Sequence, residues 1–391
     1  MYLSHLSLRD FRNYKQLDLA LGAGLFVFHG ENAQGKTNLL EAVGMLAMAS
    51  SFHASSDREV VNWTAPEHVA RIEGIVKRRE DEVQIEMLIF DPTPPAHHRT
   101  HPIIELPGNT PRKRYKVNAV PKKTIDVIGQ MKVVFFAPSD LHLVDGAPEE
   151  RRRFLDRALC QLDLRYGQAL LKYRKIVTQR AALLKRIRDN QESPEMLGYL
   201  DEQLTMLANY IMYERRRMID SLTPQANDFQ HAISGGREQL QIVYRPSFKF
   251  AERGSTLDSA QYFLEQLRAV RKKEIMQGVC LLGPHRDELD FLVNDVNMLS
   301  YGSRGQQRTT ALATKLAELT FMRASIGDEP VLLLDDVFSE LDHLRREYLL
   351  CQIAQHEQVM ITATDLVGFP TTILQQAHTY QIVNGMLANA A

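Results

Sequence analysis

Eight consecutive residues carry the clearest chemistry in this chain. Gly30-Glu31-Asn32-Ala33-Gln34-Gly35-Lys36-Thr37 fits the spacing GxxxxGK[ST]. Glycines at both ends let backbone N–H groups turn toward a phosphate, a lysine reaches the β- and γ-phosphates, and a hydroxyl ligates magnesium. The apolar run "LFVF" precedes the loop and the helical pattern "TNLLEAVGMLAMA" follows it, so a helix N-terminus adds a field favourable to anions. Such a loop needs a carboxylate on a neighbouring strand to hold the metal. "VLLLDD" supplies two, with Asp335 as the magnesium partner and Asp336 placed to orient and activate the attacking water. Lys36 and Asp336 are the candidate catalytic residues, and ATP with Mg2+ is the implied substrate and metal.

Between these motifs lies a long stretch, which small kinases and GTPases do not have. Just before the aspartates, "SRGQQ" (Ser303, Gly305 and Gln306 within it) opens an amphipathic helical pattern. A small-residue turn at a helix start is a second anion site. One chain does not readily bring both sites to one phosphate, whereas two chains in head-to-tail apposition do, with the loop of one copy against the turn of the other. "SELD", Ser339 to Asp342, follows the aspartates and suits that interface.

Elements must hold these residues in place. The chain has 391 residues, 44% apolar and 24% charged, with a net charge of −1, the balance of a globular protein of two or three units. "LFVFHG", "VARIEGIVKR", "EVQIEMLIF" and "VVFFAP" read as strands, with "KRREDE" as a hairpin turn. The loop "DPTPPAHHRTHP" has three histidines but no acidic or thiol ligand at metal spacing, so it is no metal site. From Pro148 to about residue 222 the pattern turns helical, as two helices of about 30 residues joined near "NQESPEMLG". After residue 280, strand and helix alternate again around "EPVLLLDDVF" and "HEQVMITATD". The fold class is therefore α/β, a P-loop ATPase head with an inserted, mainly α-helical lobe. It divides as 1–140 (P-loop part of the ATPase lobe), 141–280 (helical lobe) and 281–391 (signature helix and Asp-Asp strand). No run of about 18 apolar residues suggests a membrane span. Cys160, Cys280 and Cys351 form no disulfide framework, which fits a cytoplasmic location.

Loop, signature turn, VLLLDD strand and SELD, in that order, resemble the ABC-type ATPase superfamily with an SMC-like head. "LRDFRNY", "FAPSDLHLVDGAPEERRRFLDRAL" and "LLGPHRDEL" are similar, over nearly the whole chain, to the RecF family of bacterial recombination mediators. The resemblance implies a homodimer that closes on ATP and a weak, DNA-stimulated ATPase. It also implies binding to double-stranded DNA and gap junctions, action with RecR and RecO, and loading of RecA at single-strand gaps. Carried across, Lys36 and Thr37 match the loop, Asp335 and Asp336 the carboxylate pair, and Ser303 and Gly305 the signature. Arg12 and Asn13 of "FRNY" are within reach of the nucleotide, and Ser139 and Asp140 fall where the family has a polar loop near the magnesium water.

Three positions depart from the pattern. Asp336 stands where many ABC ATPases carry the longer glutamate, so hydrolysis should be slow. "TATD", residues 362–365, lacks the switch histidine of transporters, and His53 stands where RecF proteins are expected to carry arginine. The DNA-binding candidates are Arg112, Lys113, Arg114 and Lys116 of "RKRYK", Lys122 and Lys123, and the "RRR" runs at 151–153 and 215–217. The alternative is an ABC-type subunit powering another process such as transport. A nuclease would need a further acidic domain, and an SMC-type architectural protein would need long coiled coils.

Overall fold

The computed structural model describes residues 1–54, 56–91, 112–248 and 256–389. The chain forms two compact units, Met1–Asp140 with Glu318–Ala391, and Leu141–Ala317. The second boundary thus falls after Ala317 and not at 280, inside a helix that starts in one unit and ends in the other.

The first unit opens with a hairpin of β1 (Tyr2–Phe11) and β2 (Tyr14–Ala20), then β3 (Gly24–His29) and helix α1 (Lys36–Met48). Next come β4 (Val69–Lys77) and β5 (Glu82–Phe90), β6 (Lys113–Val117) and β7 (Val120–Lys122), a single turn α2 (Thr124–Val127), and β8 (Val133–Phe136). After the second unit the chain returns with β12 (Val331–Asp335), α9 (His343–Ile353), β13 (Gln358–Ala363), α10 (Thr371–Gln376), β14 (Ala377–Val383) and β15 (Met386–Asn389). These strands make two six-stranded sheets. One is antiparallel, in the order β2-β1-β4-β5-β6-β7. The other, β15-β14-β3-β13-β12-β8, is parallel except for β15.

The strands show why each sheet is of its kind. β4 and β5 alternate buried and solvent-facing residues, as suits a sheet with one wet face. β8, β12 and β13 are buried at every position, the continuous apolar run of a covered parallel sheet. Helix α1 is buried nearly all round through Leu39, Leu40, Val43, Met45 and Leu46, and one apolar core unites it with residues of both sheets.

The second unit contains α3 (Pro148–Leu162), α4 (Leu164–Arg188), α5 (Leu197–Ile233), β9 (Leu240–Arg245), α6 (Thr256–Gln277), β10 (Glu288–Val293), β11 (Val296–Asn297), α7 (Met298–Tyr301) and α8 (Arg304–Ile326). It is mainly helical, with a three-stranded sheet in the order β11-β10-β9. The expected pair of helices is three. Asp163 ends α3 and caps α4, its carboxylate accepting the Arg165 N–H at 2.8 Å. At the far end, α5 continues past Pro224 to Ile233. An internal proline costs about 3 kcal/mol, and buried Leu222, Ala226 and Gln230 on the same helix offset it.

The buried arginines of the "RRR" runs are part of this scaffold, whereas Arg216 and Arg217 are exposed. Arg151 is buried and grips Glu288 with one edge of its guanidinium, Nε and Nη2 donating to the two carboxylate oxygens at 2.5 and 2.9 Å. Arg152 donates to the Asp287 carbonyl and Arg153 to Glu149 and Glu150. Arg215, also buried, donates to Asp156 at 2.8 Å and to the Pro284 carbonyl at 2.6 Å, with Asp287 at 3.5 Å. The stretch "GPHRDE", residues 283–288, is thus the anchor to which α3 and α5 are tied. Arg151 and Arg215 are therefore not DNA contacts, because both are buried and their charges are spent on Glu288 and Asp156.

Candidate nucleotide and metal site

The site lies at the carboxyl ends of the parallel strands, where α/β sheets bind ligands. Residues 30–35 link β3 to α1, and two glycines make the curve. Gly30 has φ +150° and lies so close to β14 that a Cβ would meet the Ile382 carbonyl oxygen at 2.5 Å. Gly35 has φ +112°, and a Cβ there would strike the Asn13 side chain at 2.6 Å. Ala33 also takes a left-handed conformation, at φ +64°. Glu31, Asn32 and Ala33 are exposed at the rim. Lys36 curls back over the loop, and its Nζ donates to the Gly30 and Glu31 carbonyls at 2.6 and 2.7 Å. Burial lowers its pKa, and the charges of Asp336 and Asp335 oppose that shift.

Thr37 and Asp335, far apart in sequence, meet here: the Thr37 hydroxyl donates to Asp335 Oδ1 at 2.9 Å. A hydroxyl beside a carboxylate is the hard oxygen pair that suits Mg2+, so the residues present fit that ion. The carboxylate is on the next strand but one, not on the neighbouring one. β13 lies between β3 and β12, and its Thr362 spans the step, donating to Asp335 Oδ1 at 2.7 Å. The Asp336 N–H donates to the same Thr362 hydroxyl at 3.0 Å. Asp336 adopts φ +48°, turning the chain sharply off the strand, and its carbonyl accepts the Ser339 hydroxyl at 2.7 Å. Burial raises the pKa of Asp336, the charge of Asp335 raises it further, and Lys36 works against both. His53 Nε2 lies 3.6 Å from Asp335 Oδ2, so this departure from the expected arginine sits beside the candidate magnesium carboxylate.

The "FRNY" residues have different duties. Asn13 is on the loop: its Nδ2 donates to the Gln34 carbonyl at 2.9 Å and its Oδ1 accepts from Asn38 at 2.8 Å. Tyr14 OH donates to the Gly35 carbonyl at 2.9 Å. Arg12 instead makes two 2.8 Å bonds to Glu41 of α1 and one to the Glu59 carbonyl, the structural use of an arginine. Asp140 accepts the Ala137 N–H at 2.7 Å and shapes its own turn, with Ser139 exposed beside it. The β14–β15 turn was not legible as part of the site. Its Gly385 N–H donates to the Gln34 carbonyl at 3.0 Å and its Asn384 N–H to Gln34 Oε1 at 2.7 Å, clasping the loop from outside.

The signature residues belong to the second unit up to Ala317. Ser303 and Gln306 form a reciprocal capping box at the start of α8. Ser303 Oγ accepts the Gln306 N–H at 3.3 Å, and Gln306 Oε1 accepts the Ser303 N–H at 3.1 Å. Gln306 also donates to Glu238 at 3.0 Å. Ser303 and Arg304 are exposed, and Gly305 is half-buried.

Of the basic candidates, Lys113 is engaged by Asp57 at 2.6 Å and by the Ala49 carbonyl, and Lys116 by Glu86 at 3.1 Å. Arg114 lies over the Phe90 ring, 5.1 Å from its centroid. Arg112, Lys122 and Lys123 are exposed. The groove of about 600 Å3 that Lys113, Arg114, Lys122 and Lys123 border has Leu88, Tyr115 and Pro121 in its walls. The histidine-rich stretch 92–102 lies outside the described residues. No described group of His, Cys, Asp and Glu side chains could hold a metal by itself, and no described helix is long and apolar enough to cross a membrane.

Comparison with known proteins gives the family and the fold. The family described as RecF/RecN/SMC N terminal domain matches residues 2–376. The DNA replication and repair protein RecF of Chloroflexus aurantiacus is 42% identical over 397 residues, covering 99% of both chains. RecF of Geobacillus kaustophilus is 38% identical, covering 98% of both. Among solved structures, the recombination mediator protein RecF with ATPrS, from the RecFOR pathway, superposes with a TM-score of 0.87 at 30% identity, covering 100% of this chain and 98% of that one. The Pyrococcus furiosus Smc head domain superposes at 0.53 and 14% identity, which speaks for a shared fold. The expected ABC-type, SMC-like head is the fold observed.

Proposed function

We propose, because the chain belongs to the RecF/RecN/SMC N-terminal domain family, that it is a DNA replication and repair ATPase of the RecF kind. The observation that carries this reading is the meeting of Thr37 and Asp335 at 2.9 Å, beneath a loop curved by Gly30 and Gly35. Backbone N–H groups of residues 30–36 and the Lys36 ammonium would hold the phosphates of ATP. Thr37 and Asp335 would hold Mg2+, which neutralises phosphate charge when bound. Asp336 takes the proton of the attacking water. The left-handed backbone at Asp336, bonded to Thr362 and Ser339, fixes where that carboxylate starts from. An aspartate reaches one methylene less far than a glutamate, so turnover is slow and ATP serves mainly to hold a closed state.

That closed state is a homodimer with each nucleotide between the P-loop of one copy and Ser303–Gln306 of the other. Ser303 is exposed at the helix start, so it is accessible to a partner's phosphate. DNA contact is by backbone, through exposed cations such as Arg112, Lys122 and Lys123, with preference for gap junctions arising from shape. The partners are those of the pathway, RecR with RecO, leading to RecA, in the cytoplasm. The reading of the chain as a transport subunit is not favoured.

Replacing Ser303 tests the dimer. Ser303→Arg loses a helix cap, about 1 kcal/mol, and puts a bulky cation at the proposed phosphate contact. It should bind ATP as the parent does and fail to dimerise with it; a variant that still dimerises shows the trans arrangement to be wrong. Binding to gapped, duplex and single-stranded DNA, with and without ATP and across a salt series, tests the DNA role. Binding indifferent to both ATP and junctions counts against it.

A further inference from the structure

Helix α5 buries Leu204, Ala208, Ile211, Arg215 and Met218 along one side. Its opposite side carries three large apolar residues in the open: Tyr199, Met206 and Tyr213, with 71%, 73% and 58% of their surfaces exposed. They are seven residues apart, and seven residues return a helical side chain to within about 20° of its starting direction. The three therefore form one line, roughly 21 Å long. Exposed apolar side chains scattered singly need no explanation, whereas these three share one face of one helix.

The line is symmetric about its centre. Tyr199 stands seven residues before Met206 and Tyr213 seven after. Glu195 stands eleven before and Arg217 eleven after. Glu195 is exposed in the turn Pro194–Met196, which runs into α5 without a break. Arg217 is exposed, its nearest acidic neighbour being Glu214 of the same helix at 3.5 Å, a surface pair of little worth.

We infer that this face of α5 binds the same face of a second copy of the chain, antiparallel, with the two-fold axis at Met206. That arrangement sets each Tyr199 against the other copy's Tyr213, the two Met206 side chains against each other, and each Glu195 against an Arg217. Parallel pairing would oppose Arg217 to Arg217 and Glu195 to Glu195, so charge selects the antiparallel form. An isologous contact of this kind needs no second surface. With three apolar side chains from each copy it is small, below the roughly 1,200 Å2 of a standard interface, so association is weak. It requires no nucleotide, which separates it from the ATP-bound dimer proposed above.

Sedimentation equilibrium of the full chain without nucleotide tests this. The parent should self-associate as concentration rises, and Met206→Asp should weaken association at least tenfold. Glu195→Arg and Arg217→Glu should each weaken it, and the two together should restore it. These positions are exposed, so the variants should keep the parent's melting curve. Orientation is read by oxidative cross-linking in a Cys351→Ser background, which removes the exposed cysteine. Met206→Cys should cross-link to itself, and Tyr199→Cys to Tyr213→Cys but not to itself. A chain that stays monomeric, an association untouched by Met206→Asp, or Tyr199→Cys cross-linking to itself overturns the inference.

Discussion

Replacing Asp336 by asparagine separates the chemistry of the site from its architecture. Two hydrogen bonds hold the backbone of this residue, the N–H to Thr362 and the carbonyl to Ser339. An amide side chain leaves both intact. The backbone is left-handed, φ +48°; asparagine tolerates that conformation as aspartate does, whereas alanine would add roughly 1 kcal/mol of strain. The substitution also removes the repulsion between adjacent carboxylates that helps raise the Asp336 pKa. Stability should therefore stay within about 0.5 kcal/mol of the parent or rise slightly. The amide cannot accept a proton from water, and loss of a general base costs about 10²–10⁴ in rate, roughly 3–5 kcal/mol of activation free energy. Single-turnover phosphate release at saturating ATP measures the rate, and equilibrium nucleotide binding measures the affinity. The expected result is unchanged affinity with release slowed at least a hundredfold. Hydrolysis within threefold of the parent would refute Asp336 as the base. Asp336→Glu, with its added reach, should turn over faster than the parent, and a slower rate would sink the link between side-chain length and slow hydrolysis.

Three other perturbations have definite outcomes. Arg215→Met strands the buried carboxylates Asp156 and Asp287 and should destabilise the second unit by about 3–5 kcal/mol in urea unfolding; a loss under 1 kcal/mol would contradict the anchoring role. His285 is neutral in the fold, its Nδ1 accepting from Tyr173 OH at 2.6 Å and its Nε2 donating to the Cys280 carbonyl at 3.2 Å. Burial, aided by the charges of Arg286 and other arginines, lowers its pKa to about 4. Its stabilisation is present above the unfolded pKa near 6.5 and is lost as pH falls toward 4. Between pH 7 and 4.5 the parent should therefore lose about 2 kcal/mol more than His285→Gln, and parallel curves would exclude the effect. Gly385→Val forces a branched residue to φ +73° with its Cβ 2.6 Å from the Asn13 carbonyl oxygen; ATP affinity should fall at least tenfold if the β14–β15 turn supports the loop.

The residues that act through their immediate neighbours were legible in the sequence. A strand, a glycine turn and a lysine at a helix start are contiguous, so the spacing of residues 30–37 specifies both the phosphate loop and its place at a strand end. Asp335 and Asp336 follow four apolar residues, and that run specifies a buried strand ending in acid. The sequence also shows that Pro148 opens a helix. It does not show that α5 survives Pro224, because the packing that offsets the proline comes from elsewhere in the fold.

What the tertiary structure decided is which groups meet. Thr362 joins Asp335 because β13 lies between β3 and β12, a strand order that no local pattern encodes. The Asn384 and Gly385 N–H groups clasp Gln34, and backbone donors leave no trace in residue type. Arginine runs look alike in a sequence whether they face solvent or buried carboxylates. Only burial, with Glu288 and Asp156 brought against Arg151 and Arg215, turned those candidates for DNA contact into the internal frame of the second unit. Local geometry is written in adjacent residues; partnership across hundreds of positions is set by packing, which assigns a charge its counter-charge only once the chain has folded.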